Sequence, residues 1–433
     1  MVVAVLAAVL AGRAGHRVAT TAPSGGSLSR GASVPFGAVA DWKFTNTQDG
    51  YGLVFGSGGT YLAGSVDGGR TWRVSSGDVL SGAQISNPSS SIEPRSTALS
   101  GCPTRTDCAG LLVVSGGRVF VYSTGASPSV VAVGSDGGRH WSASTLPGVV
   151  QQLSAAGGTV WALIDRRPGV SQGLFALPPV GQIWVNAANG WQLRSTLPVT
   201  RGGGSLVGGY RLLLRTTPST AYVLAPGEQD PMAGYYGGLV STSDGGSTWR
   251  VLDSPCAFNE GPRFSQRAEL GSASPLQLWM VCGQRPGNLS AAEVARSVNG
   301  GRSWTVVAGT PDTNVWPHTF PTTGSVPFAG HNNTAVFGRH TQWVLLSGPG
   351  QVIESTDGGR HWATALPPAA RDQQPYQILD AGGRIKLVTS GGVWDRTSSG
   401  WTLIATTASR PGRTVVESAP VASRTFSRAF VPS

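Results

Sequence analysis

Charge is scarce in this chain. Asp, Glu, Lys and Arg make up 12% of its 433 residues, about half the usual share of a soluble domain. With 40% hydrophobic residues beside it, that scarcity excludes a disordered chain, which needs the opposite balance. Long apolar runs are also missing. The longest at the N-terminus, Val2 to Ala11, is about half of a bilayer-spanning helix, which excludes a polytopic membrane protein. Lysine is nearly absent: Lys43 and Lys386 are the only two among 32 basic residues. The arginines are scattered singly or in pairs such as Arg166-Arg167. The net charge of +10 therefore lacks the basic run or basic helix of a nucleic-acid surface, and no nucleic-acid partner is expected.

Cysteine is limited to four residues. Cys102/Cys108 and Cys256/Cys282 lack the CxxC spacing and neighbouring histidines of a zinc site. Two disulfides, Cys102–Cys108 and Cys256–Cys282, are expected in an oxidising compartment, with free buried thiols as the other reading. No metal and no cofactor are expected. Val2 to Ala11 has the length of a signal h-region. It lacks a preceding basic residue and a clean Ala-x-Ala site, as if the start were placed too far downstream. Residues 1–33 thus read as a signal-like and linker segment of a secreted or cell-envelope protein, at most peripheral to a membrane.

What the chain has in abundance is glycine (62), proline (29) and tryptophan (14), the composition of many short strands joined by tight turns. Five octapeptides share one frame: Ser65-Val-Asp67-Gly-Gly69-Arg-Thr71-Trp72, Gly134-Ser-Asp136-Gly-Gly138-Arg-His140-Trp141, Thr242-Ser-Asp244-Gly-Gly246-Ser-Thr248-Trp249, Ser297-Val-Asn299-Gly-Gly301-Arg-Ser303-Trp304 and Ser355-Thr-Asp357-Gly-Gly359-Arg-His361-Trp362. Apolar alternation precedes and follows each, so each octapeptide is the turn of a β-hairpin. The glycines tolerate positive φ. The Asp and Ser/Thr side chains can accept backbone N–H groups that the turn leaves unpaired. The Trp opens the outgoing strand and can fold back over the hairpin. Such residues explain a turn and not a reaction.

Decayed copies end in Trp191 and Trp401, which brings the repeat to seven units about 55 residues apart, a propeller-like period. The expected architecture is all-β: a seven-bladed β-propeller of four-stranded antiparallel blades over residues 34–405. The octapeptides form the turn between the third and fourth strands of each blade, and residues 406–433 form a tail. In the first blade the strands read as 41–45, 51–55, 60–64 and 71–74.

The octapeptides resemble the Asp box, or bacterial neuraminidase repeat. The segment Asp49-Gly-Tyr-Gly-Leu-Val-Phe-Gly56 leading into the first box resembles the repeats of photosystem II stability/assembly factor-like proteins, of the kind exported by actinobacteria. The resemblance implies the propeller fold and leaves function open, since sialidases, sortilin-like receptors, plant-polymer hydrolases and assembly factors share the box. The Arg-Ile-Pro motif of sialidases is missing. Gly169-Val-Ser171-Gln-Gly173 has a hydrolase-like pattern but runs into Leu174-Phe-Ala-Leu and lacks the helix of a nucleophile elbow. No Gly-Lys pair exists for a phosphate loop, and His318, His331 and His340 have no acidic or cysteine partner at ligand spacing.

Two carboxylates could serve a glycosidase, and Glu228, Asp230 and Glu260, read as loop residues, are the candidates. Tyr235, Tyr236, Trp316 and His318 mark long aromatic loops suited to a protein or glycan partner; packing against the next blade is the plainer reading. Arg70, Arg139, Arg302 and Arg360 recur in the boxes and would line one rim. The expected function is a monomeric, non-catalytic exported scaffold that binds a protein or glycan through one propeller face, with a part in envelope-complex assembly among what the resemblance implies. The alternative is a glycoside hydrolase using loop carboxylates.

Overall fold

A computed structural model describes residues 28–406 apart from 57–58, 81–108, 115–116, 125–127, 167–179, 199, 203–204, 208–211, 231–233, 256–266, 284–291, 309–334, 338–341, 346–351, 356–362, 371–372, 374, 382 and 398–399. The described chain is almost wholly β. Six four-stranded antiparallel sheets span residues 109–146, 149–196, 212–252, 267–308, 335–364 and 375–406, each with its strands in sequence order. The expectation of seven four-stranded blades is corrected here: the propeller has six of them. The sheet that opens the chain is five-stranded, because Ser33–Val34 pairs outside Trp72–Asp78, with Val34 opposite Trp72. A count of box tryptophans finds third-to-fourth-strand turns and is blind to an added edge strand. A separate two-stranded ribbon, Thr200–Gly202 with Ser205–Val207, precedes the 212–252 sheet.

Many of the described strands bury apolar side chains because both faces of a sheet meet a neighbour. Leu53 and Leu62 of the opening sheet pack with Leu111, Val119 and Val121 of the next. Phe120 and Val131 then meet Val160 and Ile164, and Leu163 and Ile183 meet Leu213 and Val223. Tyr222 and Leu239 meet Leu278 and Met280. Val352 meets Ile378 and Leu387. Leu379, Val388 and Val393 of the final sheet return to Val39, Phe44 and Val54 of the first. The first strands of successive sheets touch in the same order, and the last of these, Pro375–Asp380, touches Val39–Phe44. The sheets therefore close a ring.

The return seam also has a polar component. The Lys386 ammonium, fully buried, lies 2.6 Å from Asp395 Oδ1 and donates to Gly68 O at 3.1 Å. It stands 4.8 Å from the Phe44 ring centroid. Lys386 and Asp395 are cross-strand partners in the final sheet, whereas Gly68 and Phe44 belong to the first. One side chain thus ties the two ends of the ring together.

Candidate functional site

The boxes fall between the third and fourth strands of their sheets. In the first box the Ser65 hydroxyl donates to Asp67 Oδ1 at 2.8 Å and accepts from the Gly69 N–H at 2.9 Å. The Thr71 N–H and hydroxyl donate to the two Asp67 oxygens at 2.9 and 2.6 Å. The third box repeats this scheme: Thr242 bridges Asp244 and Gly246, and Thr248 donates twice to Asp244. In the fourth box Asn299 substitutes for Asp, with its Oδ1 accepting the Ser303 N–H at 3.0 Å and its Nδ2 donating to Ser303 Oγ at 2.8 Å.

The second box is built differently. Gly134 replaces the serine, and a Cβ there would lie 3.0 Å from both Gly138 Cα and the Trp141 ring. Trp141 occupies the space of the missing hydroxyl. Asp136 takes φ +52°, and Ser135 O accepts the Gly138 and Arg139 N–H groups instead. His140 Nδ1 lies 3.1 Å from Asp136 Oδ2. Asp357, Gly359 and Trp362 of the fifth box lie outside the described residues.

One further bond recurs in all four described boxes. The first glycine N–H donates to the carbonyl of the turn between the first two strands of its own sheet: Gly68 to Gln48, Gly137 to Gly117, Gly245 to Ser219 and Gly300 to Leu276, at 2.8–3.1 Å. Both turns of a sheet therefore sit on one side of the ring, locked together.

The tryptophans then tie sheets to one another. Trp72 and Trp141 donate to Gly69 O and Gly138 O inside their boxes. Trp249, Trp304 and Trp401 reach back to Ser195 Oγ, Asp253 O and Ala365 O of the preceding sheet. Trp191 and Trp401 open the fourth strands of the 149–196 and 375–406 sheets, after the shortened turns that the decayed repeats indicate.

Electrostatics follow from these bonds. Hydrogen bonds from the Thr248 hydroxyl and amide and the Thr242 hydroxyl hold the Asp244 carboxyl well below the ordinary carboxylate range. Burial pushes Asp67 up, but bonds from Thr71, Ser65 and the Arg70 amide together outweigh it, and its pKa is lowered. A carboxylate whose folded pKa is depressed stabilises the fold above its unfolded pKa of about 3.9, and this contribution is lost as pH falls through the folded value. Asn299 shows that a neutral amide fills the same position. The variant Asp244→Asn is therefore expected to fold with a melting temperature close to wild type at pH 7. Its loss of melting temperature between pH 5 and pH 2 should be smaller than that of wild type, as followed by circular dichroism.

The second and fourth strands end on the opposite side of the ring. There the hairpin of Ala221–Asp230 and Gly234–Thr242 runs beyond its outer neighbour. Among the described residues the inner strand Leu212–Arg215 pairs as far as Leu224, and the outer strand Arg250–Leu252 stops at Leu239. The hairpin continues through a register shift between Ala225 and Glu228, which passes Pro226 and Gly227, to pair Glu228 with Tyr236, Gln229 with Tyr235 and Asp230 with Gly234. The ribbon of Thr200–Gly202 and Ser205–Val207 packs against this hairpin. Glu228, Asp230, Tyr235 and Tyr236 thus belong to one hairpin and not to loops. Glu260, Trp316, His318, Cys102, Cys108 and Cys256 lie outside the described residues, and Cys282 sits in the strand Gln277–Gly283.

Most described carboxylates are held by the fold. Asp49 accepts from Asn46 in a turn, Asp78 from the Thr60 and Leu80 N–H groups and Asp380 from the Gly383 N–H. Glu354 pairs with Arg396 at 3.1 Å. Among the described residues no group of three His, Cys, Asp or Glu is placed to hold a metal, and no helix is long and apolar enough to cross a membrane. Sequence reasoning missed Lys386; its signal was a rare lysine inside the apolar run Ile385-Lys-Leu-Val388.

No family model matches this chain, and no curated protein does. Several solved structures are similar at low identity. A glycoside hydrolase family 93 α-L-arabinofuranosidase of Fusarium graminearum, in complex with arabinobiose, is 15% identical over 65% of this chain and 87% of its own, with a TM-score of 0.39. An uncharacterised protein of Listeria monocytogenes is 7% identical over 89% of this chain and 96% of its own, with a TM-score of 0.45. An acylaminoacyl peptidase of Pyrococcus horikoshii is 9% identical over 85% of this chain and 52% of its own, with a TM-score of 0.48.

Proposed function

We propose that this chain is a non-catalytic propeller scaffold of the cell envelope that holds a protein or glycan partner on the side opposite the boxes. The observation that carries this reading is the hairpin continuing past Leu239, where the outer flanking strand stops. A strand pair that runs past its outer neighbour presents backbone to a partner, and its sequence carries Tyr235 and Tyr236, a residue type enriched in binding surfaces. The boxes support the same division of labour, because their own carboxylates and hydroxyls are spent on turn hydrogen bonds. Most described carboxylates are likewise spent in turns and ion pairs, which weighs against two-carboxylate chemistry.

The test replaces residues 226–237 by Asn-Gly, a two-residue hairpin turn. The intact chain immobilised against an envelope extract and a glycan array should retain a partner that the shortened chain loses, with both showing the same thermal unfolding. Equal retention by the two proteins defeats the assignment to this hairpin.

A further inference from the structure

The ring-closing seam differs from two other junctions in one side chain. At these three the second residue of the second strand meets the first box glycine of the next sheet, while Gly245 meets Arg194 instead. Tyr51 brings its hydroxyl to Gly137 and Tyr222 its hydroxyl to Gly300, whereas Lys386 brings its ammonium to Gly68. Beside Lys386 lies a cleft of about 180 Å³. Its walls are the turns around Gln48 and Gly68 of the first sheet and the strands that carry Asp395, Thr397 and Thr402 of the last. It lies on the box side, across the ring from the hairpin, and does not depend on the function proposed above.

The charges in this cleft do not all cancel. Asp395 pairs with Lys386, and Asp67, which accepts from Ser65 and Thr71 in its own turn, keeps its negative charge, so the cleft carries one net positive charge. Two exposed guanidiniums remain on the lining, Arg70 and Arg384. Neither has a carboxylate within ion-pair distance among the described residues; Arg70 donates only to the Asp67 carbonyl. Guanidinium groups match a carboxylate in charge and in planar geometry. Thr47, Gln48 and Thr402 supply hydroxyl and amide groups, and Ile404 one apolar patch; the Thr397 hydroxyl donates to Gly400 O. The volume is below the roughly 300–1,000 Å³ of drug-sized pockets, which limits the occupant to a single small ring.

We propose that the seam cleft binds a small hydroxylated carboxylate of uronic-acid size. Arg70 and Arg384 take the carboxylate, and the threonine and glutamine side chains take the hydroxyls. A ligand held there bridges the first and last sheets and so strengthens the closure that Lys386 makes.

With only two lysines, the full-length chain labelled with ¹³C at lysine gives two separate reporters. Titration with glucuronate is expected to shift the Lys386 signal saturably and leave Lys43 unmoved. Glucose should produce no shift, and inorganic phosphate a weaker one. Arg384→Ala and Arg70→Ala should each weaken glucuronate binding about tenfold or more, the scale of one hydrogen bond to a charged group. Both arginine side chains are exposed, so thermal unfolding without ligand should match wild type. A Lys386 signal that does not respond to glucuronate overturns the proposal. Phosphate binding as tight as glucuronate, or full affinity in Arg384→Ala, overturns it equally.

Discussion

Lys386→Met is expected to destabilise the protein by about 3–5 kcal/mol, the cost of removing one partner of a buried ion pair. The side chain is 0% exposed, and that of Asp395 13%. Methionine fills much of the volume but leaves the Asp395 carboxylate without its cation and the Gly68 carbonyl without its donor. The loss comes from the group left behind and not from the attraction alone. Lys386→Met/Asp395→Leu, which removes both charges, should therefore recover a large part of the stability. Urea unfolding of wild type, the single variant and the double variant measures all three values. A single variant within about 1 kcal/mol of wild type would show that the apolar contacts of Phe44, Val388 and Val393 close the ring unaided.

Trp72→Ala should cost a comparable amount, about 3–5 kcal/mol, whereas Trp304→Ala should cost only about 1–2 kcal/mol. The two tryptophans hold the same place in the repeat and differ in what covers them. Trp72 is 1% exposed. Val34 pairs with it from the added edge strand, and Phe44 meets it edge to face at 6.1 Å. Trp304 is half-buried, just before the outer strand Thr305–Ala308 of a sheet with no fifth strand. Removing Ser33–Val34 should bring the cost of Trp72→Ala down towards that of Trp304→Ala. Chemical denaturation of the two alanine variants, with and without residues 1–34, tests this.

The boxes were legible because their function is local. Each combines a carboxylate or amide, two glycines and a tryptophan, in all but the second box with a leading hydroxyl, within eight residues, so one short window contains the whole argument. Asn299 and the decayed Trp191 and Trp401 turns were legible for the same reason. The edge strand Ser33–Val34 was not, since two residues in a Gly/Ser/Ala-rich stretch show no alternation. The hairpin through Glu228 was hidden by Pro226-Gly227, which reads as a break; the register shift there carries both residues past the ladder without a pairing partner. The seam depends on Lys386 meeting Gly68, 318 positions apart, and no local pattern encodes such a contact. The pairing of Lys386 with Asp395 was nearer to hand, because the glycine turn at 391–392 sets the register that places them opposite each other.

Turnover tests the central claim most directly. The full-length protein is incubated with a panel of plant and bacterial polysaccharides, and the release of reducing sugar is followed over time. A scaffold whose carboxylates serve turns and seams releases none above the buffer control, while still retaining its partner through the 226–237 hairpin. Sustained release that disappears in Glu228→Gln or Asp230→Asn, in protein that remains folded, would contradict the account and make the hairpin an active-site element.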